Sequence, residues 1–168
     1  LHKSWRSTED SQPEFEHARE EITIMITGLE FQAIWYDVDT IDVRISACNG
    51  TFGGMSRAYV GIGDLEKAAA RLRGFPNNPL DIREITFKGL GKGNARGDVR
   101  LRFYCSGGAA HTWMDASIES ACDSTGSEQS VALTLSIEAA AIDVFVDQPH
   151  KLGAARSGMA RLNGVVQF

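Results

Sequence analysis

Six side chains with charged or hydrogen-bonding ends fall on two short alternating stretches. Arg100, Arg102 and Tyr104 alternate with Val99, Leu101, Phe103 and Cys105, and His111, Trp113 and Asp115 alternate with Met114, Ala116 and Ile118. Ser106, Gly107 and Gly108 lie between the stretches and read as a turn. Side chains of a strand alternate between faces, so the two arms of a hairpin would gather the six on one sheet face. Tyr, Trp and Arg combine large contact area with polar ends, the mix found at interface hot spots. The row is therefore a candidate binding face. The competing expectation is that the N-terminal segment or a helix covers it and Trp113 joins the core.

Patterns that would support catalysis or metal binding are incomplete elsewhere. The run Gly89 to Gly97 is rich in glycine, but it lacks the Lys-Ser or Lys-Thr of a phosphate loop and a strand follows it rather than a helix. Asp37, Asp39 and Asp42 are close enough in sequence to offer oxygen ligands, yet the glycine and terminal glutamate of a calcium loop are missing. His2, His17, His111 and His150 show no metal-ligand spacing. Ser106 and Ser157 lie beside glycines outside a G-x-S-x-G elbow. Asp123 to Gly126 has one residue too many for an aspartic-protease motif. Cys48 or Cys105 with His111 could form a nucleophile pair, but alternation points Cys105 and His111 to opposite faces. No catalytic residue, metal or cofactor is expected.

The elements that must position the row follow from periodicity. Leu65, Ala68, Ala69 and Leu72 fall at i, i+3, i+4 and i+7, one face of a helix, with Gly74 and Pro76 as its stop. Ile41, Val43, Ile45 and Ala47 alternate with polar residues, Asn49-Gly50 marks a hairpin, and Thr51 to Val60 should return antiparallel. Gly53-Gly54 signals a bulge or a close approach. Glu21 to Thr27 reads as a strand broken by Gly28, Phe31 to Tyr36 as another, and Asp81 to Lys88 as a third. Val131, Leu133, Leu135 and Ile137 alternate, and Ile142, Val144 and Val146 resume the pattern after a slip, which predicts one long bulged strand. Pro149 opens a second helix through Leu152, Ala155, Met159 and Leu162, and Val165 to Phe168 could add an edge strand. The expected fold class is α+β, a mainly antiparallel sheet with two short helices packed on one face. Residues 1–19 are polar and weakly periodic and are expected to form a flexible N-terminal segment, with 20–168 as a single domain.

Composition narrows the function class. With 168 residues and 43% hydrophobic content, the chain can build a real core. It contains no apolar run of about 18 residues, so no membrane partner is expected. Three widely spaced cysteines argue against a disulfide framework and for a reducing, cytoplasmic setting. Leu1 is not methionine, which points to a fragment or a processed chain and leaves targeting open. The net charge is −5, and residues 1–40 carry nine acids against three bases. No basic stripe suggests nucleic acid.

The stretch Phe52-Gly53-Gly54 through Tyr59-Val60, then Asp64-Leu65 and Ala69 to Leu72, resembles the strand–helix signature of small bacterial toxin-immunity proteins of the WapI-like type. Residues 41–163 can be laid on that plan. The resemblance implies a non-enzymatic cytoplasmic protein that binds a cognate toxin, with no catalytic residues to carry over. The acidic residues 1–40 suit a basic partner and equally suit solubility. Three readings stand at this point: a protein-binding module, a small-molecule binder or enzyme with a pocket between sheet and helices, and a homo-oligomer joined through the 165–168 edge.

Overall fold

The computed structural model describes residues 26–88, 97–108, 111–121 and 128–166. The 1–19 segment, most of the strand expected at 21–27, residues 89–96 of the glycine-rich loop, Asp123 to Gly126, and 167–168 of the expected edge strand lie outside them. The elements run β1 (Gly28–Tyr36), β2 (Thr40–Cys48), β3 (Gly53–Gly61), α1 (Asp64–Ala70), β4 (Ile82–Phe87), β5 (Val99–Cys105), β6 (Thr112–Ala121), β7 (Glu128–Ile137), α2 (Ala139–Phe145), α3 (Gln148–Ala155) and β8 (Met159–Val165). The eight strands form one antiparallel sheet in the order β3-β2-β1-β8-β7-β6-β5-β4. The fold is α+β, as the patterning predicts.

Local chemistry explains the β2–β3 hairpin. The Asn49 side-chain oxygen accepts from the Thr51 and Phe52 amides at 3.1 and 2.9 Å, while Gly50 takes φ +94°. Ile41, Val43, Ile45 and Ala47 are all buried on one face. Gly54 is a close approach, since a Cβ there would stand 2.2 Å from the Val131 Cγ1. Gly28, expected to end a strand, instead opens β1. It holds φ +138°, and a Cβ would stand 2.2 Å from the Leu162 carbonyl of the neighbouring β8.

α1 buries Leu65, Ala68 and Ala69, and Leu72 is buried just beyond its last turn. The long strand expected through 142–146 is a correction: this stretch contains α2. Ile142 and Phe145 are buried at helical spacing, whereas Val144 is 69% exposed. The second helix also ends earlier than its apolar spacing suggests. Arg156 adopts φ 54° and Gly158 φ 93°, which stops α3 and starts β8, with Ala160 and Leu162 buried and Met159 exposed. The described helices are therefore three short segments. β8 is no edge: it pairs with β1 on one side and β7 on the other, and the sheet ends at β3 and β4.

The β7–β8 seam is short, with only Ser136 opposite Val165 and Ile137 opposite Gly164. Beside it, the Gln148 amide takes a strand's place: it accepts from the Arg161 amide at 2.8 Å and donates to the Arg161 carbonyl at 3.2 Å. The sheet also curls. Phe31 of β1 meets Phe87 of β4 at 5.5 Å and Phe145 of α2 at 5.6 Å. The core thus lies between two half-sheets, and each half turns an outer face away from it.

Candidate binding face

On the β4–β7 half, Val99, Leu101, Phe103, Met114, Ala116, Ile118, Leu133 and Leu135 are buried. That commits the alternate residues to the outer face. Register then sets three rows across the strands: Ile82, Tyr104, Trp113 and Ser136; Glu84, Arg102, Asp115 and Thr134; and Thr86, Arg100, Ser117 and Ala132. Five of the six residues singled out from the sequence, Arg100, Arg102, Tyr104, Trp113 and Asp115, share this face. His111 lies just outside β6. It is exposed one residue before β6, where its carbonyl accepts from Ser106 and its amide donates to Gly108.

Asp115 organises the middle of the face. Its Oδ1 accepts from the Thr134 hydroxyl at 2.8 Å and the Tyr104 hydroxyl at 3.2 Å, and Arg102 approaches its Oδ2 at 3.6 Å. The Arg102 guanidinium also lies over the Tyr104 ring at 5.1 Å. Arg100 reaches Glu84 at 3.4 Å. Burial, and then the charge and hydrogen bond of Asp115, push the Tyr104 phenol above its ordinary pKa. Trp113 is half-buried beside Tyr104 and Ser136. It belongs neither to the core nor to open solvent.

A trough of about 520 Å³ crosses this face. Ser117, Ala132 and Thr134 help to floor it, with Arg100 and Arg102 on one side and Phe52 and Asn49 on the other. Phe52 is 65% exposed, and Asn49 anchors the hairpin to β7 by donating to the Thr134 carbonyl at 3.4 Å. Sequence spacing does not reveal Phe52, Glu84 and Thr134, because Phe52 comes from the β2–β3 turn and Glu84 and Thr134 from strands whose neighbours only the topology supplies. A second exposed apolar run, Ile34, Trp35, Tyr36 and Val38, surrounds the β1–β2 turn. A bulge between Ala33 and Trp35 disrupts its alternation, so sequence spacing could not place it.

The other sequence candidates separate in space. Asp37 caps its own turn, accepting from the Asp39 amide and from the Thr40 amide and hydroxyl, and these bonds lower its pKa. Asp42 is buried and paired with Arg57. Burial, then the nearby Asp81 charge, raise the Cys105 pKa, so this thiol is poorly suited to nucleophilic work at neutral pH. Among the described residues, no three His, Cys, Asp or Glu side chains gather where they could hold a metal ion. No helix among them is long and apolar enough to cross a membrane.

No family model, curated protein or solved structure matches the chain.

Proposed function

We propose that this chain is a non-enzymatic protein-binding module and that its contact surface is the outer face of β4–β7. The observation that carries the reading is the alignment of half-buried Trp113 and Tyr104 with exposed Ile82 and the two arginines on one face. Among the described residues, the main packing partners of the helices are β1, β3, β8 and one another. Such a surface offers rigid aromatic area beside charge-bearing donors, which suits a protein partner. The specific form suggested by the 41–163 resemblance is an immunity protein of a bacterial cytoplasm whose partner is a toxin.

Affinity purification from the cells that make the protein tests this reading. A stoichiometric partner captured by the wild type should be lost with Trp113→Ala, at a cost of about 2 kcal/mol or more in binding. Because Trp113 is only half-buried, the same change should cost folding about 1–2 kcal/mol, measured by urea melt. Undiminished capture by a folded Trp113→Ala variant would place the contact elsewhere and remove the basis for the proposal.

A further inference from the structure

We infer that the trough on this face receives an extended acidic segment of the partner protein, with carboxylates on Arg100 and Arg102 and an apolar side chain against Phe52. The inference rests on the binding-face reading and adds the partner's chemistry. Among the described residues, the other arginines in ion pairs hold their carboxylates closely: Arg57 on Asp42, Arg161–Glu30 at 2.6 Å, Arg83–Asp81 at 2.7 Å and Arg73–Asp147 at 2.9 Å. The trough pairs are longer, with Arg100–Glu84 at 3.4 Å and Arg102–Asp115 at 3.6 Å. Asp115 already accepts two hydroxyls on Oδ1, so part of its acceptor capacity is spent within the sheet. A guanidinium carries five donors in a fork that matches a carboxylate, and at these lengths much of that capacity is left for an incoming group.

Spacing defines the shape of the occupant. Arg100 and Arg102 stand two residues apart on one strand, and β5 ends just beyond them at Cys105. Their Cα positions therefore repeat at the interval that separates same-face residues of any extended segment. Carboxylates at alternate positions of a partner strand would meet them in register. The small floor of Ser117, Ala132 and Thr134 leaves room for a backbone, and Phe52 gives its apolar side chains a wall.

The test is a backbone amide NMR titration of the whole chain with short peptides of alternating residues. A glutamate–leucine peptide should shift amides of 100–102, 115–117 and 132–134 and bind at least about tenfold tighter than its glutamine–leucine counterpart. The Arg100→Glu/Arg102→Glu variant should reverse the preference toward a lysine–leucine peptide. Its urea midpoint checks that it folds, since both positions face outward. Equal binding of the glutamate and glutamine peptides, shifts centred elsewhere, or the same shifts from inorganic phosphate alone would each overturn the inference. The two proposals fail separately. If the charge-reversed protein captures the cellular partner undiminished while Trp113→Ala does not, the acidic segment is wrong and the binding face stands. If capture ignores Trp113, the binding face itself is wrong.

Discussion

The two outer faces of the sheet carry similar residues and use them differently. On the β1–β3 side, Arg161 grips Glu30 at 2.6 Å, Arg44 donates to Gln32 at 3.2 Å, and Arg57 holds both oxygens of Asp42, a carboxylate only 1% exposed. These contacts run between neighbouring strands, so they help to hold the register of β8, β1, β2 and β3. On the β4–β7 side the ion pairs stretch to 3.4 and 3.6 Å, and the shortest polar contacts go from hydroxyls to Asp115. Composition alone does not separate the two faces. Pair length and burial do, because a charge committed to an internal partner has less to offer an external one.

The largest expected effect is at the residue that joins the halves. Phe31 is buried and edges onto both Phe87 and Phe145, so Phe31→Ala should cost about 3–5 kcal/mol in a urea melt. A loss below about 1 kcal/mol would mean that the two half-sheets do not share one core.

A smaller effect sets the faces directly against each other. Asp42→Ala removes a buried carboxylate from Arg57, whose own side chain is half-exposed and can turn to water, so the cost should be about 1–3 kcal/mol. Asp115→Ala acts on an open network and should cost less than about 1 kcal/mol. Equal losses from the two variants would mean that the two faces hold their charges alike.

The smallest effect is in alkali. The Tyr104 phenol has a raised pKa in the folded chain, so above its ordinary value of about 10 the unfolded state releases this proton first. The unfolded state then binds fewer protons, and stability falls as pH rises through that range. Tyr104→Phe should flatten this part of the curve, read as denaturation midpoints on either side of pH 10. An unchanged alkaline slope would mean that Asp115 and burial do not hold the phenol.

Alternation and turn chemistry made much of this legible in advance. Val99 to Ile118 could be read as a hairpin because both arms keep period two, and that alone placed five of the six candidate residues on one face. The 41–60 hairpin was equally readable, since Asn49-Gly50 carries its turn in its own side chain and backbone. The 139–165 stretch was misread because Ile142, Val144 and Val146 satisfy a strand pattern, while Ile142, Phe145 and Val146 satisfy a helix pattern just as well. Packing decided between them: α2 lays Phe145 onto Phe31, a residue more than a hundred positions away.

By itself the sequence determined the class of the fold, the clearest helix face, and which residues of β5 and β6 point together, because these depend on periods of two and 3.6 within a few residues. Only the tertiary structure decided that β8 runs between β1 and β7, that the sheet curls until β1 meets β4, and that Phe52, Glu84 and Thr134 come to the arginines' face. Those outcomes depend on which distant strands pair, and pairing is settled by the shared burial of many side chains rather than by any local pattern.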